Sequence, residues 1–478
     1  MVEKEKLKWI YLLSGFFIAL NTFFIAREFY WFTLFPAAAL IVLLSLVALD
    51  KLVMLIVFLT PLSVNLQESD FGVALSVPTE PLLFGVMVLF ILRLFYEGKF
   101  DWEISRHPVS IAILLYLLWM IITTVTSSFP VVSIKFVAAK IWFLVSYYFI
   151  ATQIFRDYKN IRRYLWLYMA SFTIVIIYTI YNHSLEGFKE QPAHVAMVPF
   201  YNDHTSYGAM LAMFIPVLIA FCLASNFTRT LKLASWLLLI LFLAATVLSY
   251  TRAAWVSLVA IFIIYFIYLL RIRMWVVLAG AAAVLALFII YQDKIFMKLE
   301  KNKQTSSADL AEHAQSIYNI RNDASNLERI NRWQSALRMF REKPLFGWGP
   351  GTYQFNYAPY QFSYEKTIIS TNIGDRGNAH SEYIGPLAEQ GLPGMLCILG
   401  VVIASIFTGS RLYHRLPKGE MKSLVLVVML GLITYYIHGT LNNFLDTDKA
   451  SATVWGFMAI LVAIDVYHSR RSENTATE

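Results

Sequence analysis

Hydrophobic residues in this chain are gathered into blocks of roughly 17–25 residues separated by short basic links, and that length is what crossing a hydrocarbon core about 30 Å thick requires. Fourteen candidate blocks lie at approximately 9–26, 29–49, 52–67, 78–95, 108–126, 132–154, 164–182, 205–225, 233–250, 254–270, 274–291, 384–408, 423–441 and 450–467. The third is short and broken by Pro61, so it reads equally as a re-entrant segment. Composition agrees: 58% of residues are hydrophobic and 15% charged, against about 45–50% and about 25% in soluble domains. The expected fold is an all-α polytopic membrane protein of about 12–14 transmembrane helices with one large outward-facing, partly helical loop.

Basic residues orient the bundle. With the N-terminus inside, 21 of the 39 Lys and Arg fall in cytoplasmic segments and only 4 (Arg27, Lys189, Arg252 and Lys449) on short outer links. That asymmetry places both termini in the cytoplasm. Residues 292–382 then face outward; long loops translocate largely regardless of charge. The organisation expected is an N-terminal transmembrane bundle (1–291), an extracytoplasmic loop (292–382), C-terminal transmembrane helices (383–467) and a cytoplasmic tail (468–478). Topology also accounts for the net charge of +8 without a nucleic-acid partner. The charged start, Met1 to Lys8, precedes an apolar block with no small-residue cleavage site, and reads as a retained first span. Cys222 and Cys397 both sit in apolar blocks, so the loop is not stapled by disulfides.

Within the loop, Leu327, Ile330, Trp333, Leu337 and Phe340 recur at helical spacing, predicting an amphipathic helix over about 326–341. The run Gly347-Trp348-Gly349-Pro350-Gly351 ends it as a turn, since no strand precedes it as a dinucleotide loop would require. Tyr353, Phe355 and Tyr357 follow, suited to the loop's own core or to stacking on sugar faces. Asn202-Asp203-His204-Thr205 reads as a helix cap with Asp203 at the N-cap, or as part of a cleft that includes His204.

Costly charges mark candidate chemistry. Lys135 and Lys140 lie in the sixth block; Lys135 can snorkel, whereas Lys140, roughly 12 Å deeper than the block's start, calls for a cavity. Arg252, on the tight Ser249-Tyr250-Thr251-Arg252 link, is either an interfacial lipid anchor or a bidentate phosphate clamp. His380, in Asn378-Ala379-His380-Ser381-Glu382-Tyr383, stands where the loop re-enters the membrane and can accept a proton near neutrality. No His, Asp or Glu spacing of a metal site is present.

Taken together, Glu328-Arg329-Ile330-Asn331-Arg332-Trp333, the stretch Pro344 to Gly351, Asn378 to Tyr383, and Ala388-Glu389-Gln390-Gly391-Leu392-Pro393-Gly394 resemble the O-antigen ligase and polymerase superfamily, over roughly residues 200–445. The resemblance implies a metal-independent glycosyltransferase without a cofactor, seated in a bacterial inner membrane. Its donor would be a polyprenyl-diphosphate-linked glycan, such as an undecaprenyl diphosphate carrier, and its acceptor a glycan or lipid-glycan, as in lipopolysaccharide synthesis. In such enzymes a loop His acts near the acceptor hydroxyl and two Arg bind the diphosphate; the matching positions here are His380, Arg252 and Arg329, the last preferred to Arg332 by its spacing to Trp333. The family's usual His-Asn pair reads His380-Ser381, so that Asn's role does not carry over. Lys140, Lys135, Arg332, Glu382 and His204 complete the expected substrate-binding set. A polymerase of the same superfamily, or a lipid-linked sugar flippase, is the alternative; the second lacks support from any internal repeat.

Overall fold

The computed structural model describes residues 2–29, 32–33, 35–36, 48–66, 75–98, 101–270, 272, 324–363 and 377–469. The chain divides into two units, 1–55 and 56–478. The first contains α1 (Val2–Ala26), whose purely apolar part is the short stretch Ser14–Ala26. Phe24 and Phe32 pack there at 4.7 Å between ring centroids.

The second unit is a helical bundle, as lipid demands: every backbone polar group at membrane depth must be satisfied within the chain. After α2 (Leu49–Leu59), Pro61 sits in a tight turn over Thr60–Leu62 and the chain leaves helical geometry. The third predicted block is therefore a short helix and not a full span. Two three-residue strands, β1 (Val64–Leu66) and β2 (Leu75–Val77), then pair antiparallel with Asn65 opposite Ser76, a small hairpin the sequence reading did not anticipate.

The remaining helices are α3 (Thr79–Glu97), α4 (Pro108–Val125), α5 (Pro130–Leu144), α6 (Tyr158–Leu185), α7 (His204–Leu223), α8 (Arg229–Leu248), α9 (Arg252–Leu269), α10 (Ala324–Glu342), α11 (Ile384–Arg415), α12 (Glu420–His438) and α13 (Asp448–Ala463). A widened π turn at Val145–Ile150 carries α5 on to Ile154. Among the described residues ten helices are long and apolar enough to cross a membrane: all of these except the loop helix α10. The blocks predicted at 29–49 and 274–291 and the polar stretch 294–307 lie largely or wholly outside the described residues.

Burial ranks the helices. α7, α12 and the α13 segment are 72–83% enclosed by protein, whereas α9 is 17% enclosed and faces outward from the bundle. Where hydrophobicity cannot separate helix from lipid, close packing holds them together. A Cβ on Gly431 would stand 2.7 Å from both the Met213 carbonyl on α7 and the Phe457 ring on α13, so only glycine lets these three helices meet. Tyr164 on α6 adds a cross-helix hydrogen bond, donating to the Ala452 carbonyl at 2.6 Å.

Interhelical links sort into two sets. One end gathers the segments around 127–129, 186–203, 249–251, 343–352, 377–383 and 439–447: Ser128 N–H donates to Trp348 O at 2.9 Å and Glu382 N–H to Gly439 O at 2.8 Å. The other gathers the remaining links, through His107 with Asp465 at 3.0 Å, Arg411 with Asp465, and Tyr467 with Asp101 at 2.5 Å.

Candidate functional site

The helix expected over 326–341 is α10, and its first turns carry Glu328, Arg329 and Arg332. Arg332 is buried at 4% exposure, bonds Glu328 at 2.8 Å and lies over the Tyr357 ring at 4.1 Å. Tyr353 donates to the Arg332 carbonyl at 2.8 Å and stacks on Tyr357 with centroids 5.2 Å apart. Tyr353 and Tyr357, with Ala336, Met339 and Ala379, thus form the loop's own core, while Phe355 remains at its edge against Phe129. These aromatics fold as short helical turns, Tyr353–Asn356 and Ala358–Tyr360, which is why alternate residues do not share a face.

The glycine-rich turn docks this core on the membrane helices. Gly347 has φ +66°, and a Cβ there would run into the backbone of Glu389; Gly391, at φ +72°, breaks α11 and abuts the Leu345 carbonyl. Backbone therefore meets backbone: Gly349 N–H donates to Glu389 O at 2.7 Å and Leu392 N–H to Pro344 O at 2.9 Å. The Glu389 carboxylate accepts the amides of Gly351 at 3.0 Å and Tyr353 at 2.9 Å. Two sequence runs that looked separate, around 347–351 and 388–394, are the halves of one clasp.

His380 emerges from that clasp in the left-handed conformation, φ +48°. Such backbone persists only where neighbours over-determine it. Its amide donates to Asn378 Oδ1 at 3.0 Å, Ala379 is buried in the loop core, and Ser381 Oγ accepts the amides of Tyr383 and Ile384 at 3.3 Å to cap α11. Just before it, Gly377 (φ +140°) lies flush against the Arg332 guanidinium, where any Cβ would collide. Arg332 is thus a post on which the His380 segment rests. Burial, then the nearby Arg329 and Arg332, holds the His380 imidazole down at about 4, with Asp203 and Glu328 opposing. A neutral ring at neutral pH is able to receive a proton.

The other cations converge from separate elements. Arg329 Nε donates to the Leu441 carbonyl at 3.2 Å, tethering α10 to the turn that follows α12. Arg252 opens α9 after a sharp bend in which Tyr250 has φ +51°; the preceding Thr251 Oγ1 donates to His204 O at 2.7 Å. The His204 ring stacks on His194 at 4.0 Å and lies in the fields of Asp203, Arg329 and Arg252. Asp203 is the N-cap of α7, accepting the amides of Thr205 and Ser206 at 2.8 Å each, so the cap reading holds. His204 thus lies in the fields of both Arg252 and Arg329, and His380 in that of Arg329.

Three other expected site residues serve different ends. Lys140 does not open on a cavity: it is 2% exposed, pairs with Asp446 at 2.7 Å and donates to the Leu445 carbonyl at 2.8 Å. Glu382 Oε1 accepts from Tyr435 OH at 2.5 Å and from the amides of Phe444 and Leu445 at 2.7 and 2.8 Å, which organises the 439–446 link. Burial and Asp446 push its carboxyl up, against the pull of Lys140. Lys135 is exposed, as a snorkelling side chain is. Sequence reasoning missed His438, the last residue of α12, which lies in the fields of Asp203, Arg329 and His204.

Among the described residues no three His, Cys, Asp or Glu side chains group as around a metal ion. A cavity of about 1170 Å³ opens at the opposite end of the bundle, between Arg162, Phe221, Tyr268, Tyr413, His414 and Lys422, and no candidate residue lines it.

The fold defines a polytopic α-helical membrane protein, and cations and imidazoles gather where its folded loop meets the helix ends. Residues 237–399 match the family model described as O-antigen ligase, a stretch that includes Arg252, Arg329 and His380. That match bears out the resemblance to the O-antigen ligase superfamily. The chain is also similar to an uncharacterized protein of Haemophilus influenzae, 23% identical over 232 residues, covering 47% of this chain and 55% of that protein. The matched region thus spans only about half the length of that relative.

Proposed function

We propose that this protein transfers a glycan from a polyprenyl-diphosphate carrier to an acceptor hydroxyl at the outer face of a bacterial inner membrane. One observation carries the reading: His380 lies in the field of Arg329 on α10, and Arg329 and Arg252, from two distant elements, both act on His204, with Asp203 common to the surroundings of the two imidazoles. When the glycosidic bond to the carrier breaks, charge develops on the leaving diphosphate. Paired guanidiniums fixed in advance stabilise that charge more in the transition state than in the ground state. An acceptor hydroxyl is a weak nucleophile until its proton departs, and His380 takes that proton, a contribution typically worth about 10²–10⁴-fold.

The O-antigen ligase match over 237–399 supports this chemistry, and the apolar helices around the cleft suit a lipid-tailed donor. The bonds change in balance: the acceptor oxygen forms the new glycosidic bond, the carrier leaves as its diphosphate, and the hydroxyl proton passes to His380. A ligase and a polymerase share these steps and differ only in the acceptor. The test is replacement of Arg252, Arg329 and His380 singly by Ala in the native host, with surface glycan measured. Each variant should lose the glycan while remaining in the membrane at normal abundance; full glycan in His380→Ala would end the base assignment.

A further inference from the structure

We infer that His438, together with His204, completes the anion site as a pair of imidazole donors to the phosphate oxygens assigned to Arg252 and Arg329; this rests on the diphosphate reading above. His438 is 1% exposed, and among the described residues neither of its ring nitrogens finds a hydrogen-bond partner. Among the same residues His204 Nδ1 has no partner, nor does the side-chain amide nitrogen of Asn442, which is 3% exposed. Buried polar atoms are nearly always paired, so several orphans at one locus mark a polar ligand that supplies the partners.

The position is built, not accidental. His438 ends α12, and its carbonyl accepts the amide of Leu441 at 3.0 Å; the Leu441 carbonyl then accepts Arg329 Nε at 3.2 Å. One tight turn therefore spaces the imidazole from the guanidinium. The Phe444 ring, with its centroid 5.7 Å away, limits rotation of the imidazole. The titratable and charged groups whose fields reach His438 are Asp203, Arg329 and His204. An imidazole N–H at this position adds a directed contact to an oxygen-rich anion beside the guanidinium.

The experiment uses the full chain in lipid nanodiscs and titrates farnesyl diphosphate calorimetrically. His438→Phe keeps a ring against Phe444 but removes the donor; binding should weaken by about 10-fold or more, with unfolding temperature unchanged. His438→Gln, which retains a donor, should recover most of the loss. If His438→Phe proves unstable, ¹⁵N-histidine spectra of the unaltered protein decide: the His438 resonances must shift on adding the diphosphate. Unchanged affinity in His438→Phe, or unmoved His438 resonances, alongside lost binding in Arg329→Ala, overturns the histidine assignment and leaves the arginine site standing. No binding by the unaltered protein overturns both.

Discussion

Arg329 donates from Nε to the carbonyl of Leu441 at 3.2 Å, so the loop helix α10 is fastened to the last interhelical link of the bundle by the guanidinium proposed to hold the donor. Binding group and hinge are the same side chain. Arg329→Lys cannot reproduce both the tether and a forked contact to phosphate. Arg329→Ala and Arg252→Ala should each lower transfer by about 10²–10³-fold, the usual cost of removing a donor aimed at developing charge. Arg329→Lys should keep only a small part of the activity. Initial rates with a lipid-linked glycan donor measure this.

The His380 environment sets a pH profile. Its imidazole is held down at about 4, so the proton-accepting form persists well below the usual histidine range. Transfer should stay level from pH 8 to about 5 and fall as pH approaches about 4. Stability follows the same group with a defined sign. As pH falls, the unfolded chain takes up this proton first, near 6.5, while the folded chain resists until about 4. The contribution is full above pH ~6.5 and lost across that window, which His380→Gln should flatten in thermal unfolding series.

The pair between Lys140 and Asp446, 2.7 Å apart, should matter for stability and not for chemistry. Asp446 is partly exposed and can find water once alone, whereas Lys140 cannot. Asp446→Ala should therefore lower stability more than Lys140→Met, by on the order of 1–3 kcal/mol. Comparison of unfolding temperatures in detergent checks the order.

Glu389 accepts two loop amides, from Gly351 and Tyr353. Glu389→Ala would orphan both, and each buried unpaired amide costs about 1–3 kcal/mol. The loop should loosen from α11 and be cut by protease at concentrations that spare the unaltered protein. Glu389→Gln, which keeps an acceptor oxygen, should lie between.

Much of this fold was legible because membrane crossing leaves a long, simple signal. α10, predicted over 326–341, runs Ala324–Glu342, and the Asp203 cap could be read from a single polar residue before an apolar run. What was hidden is non-local. Nothing near Lys140 announces Asp446, a residue on the far side of the sequence, so its burial looked like a cavity. Gly391 stood in the sequence only as one member of the run Ala388 to Gly394, and its approach to the Leu345 carbonyl is what explains it. His438 stayed invisible because a histidine at a helix end carries no motif; only the empty hydrogen-bond positions around it single it out.

The central claim is that this cleft cleaves a glycan from its diphosphate carrier with His380 as base. The most direct measurement follows purified protein in nanodiscs with a radiolabelled lipid-linked glycan and a candidate acceptor, and quantifies glycan product and freed polyprenyl diphosphate together. The account expects the two to form one for one with unaltered protein, and both to vanish with His380→Ala. Undiminished transfer by His380→Ala, or glycan that crosses the bilayer still attached to its carrier, would contradict it.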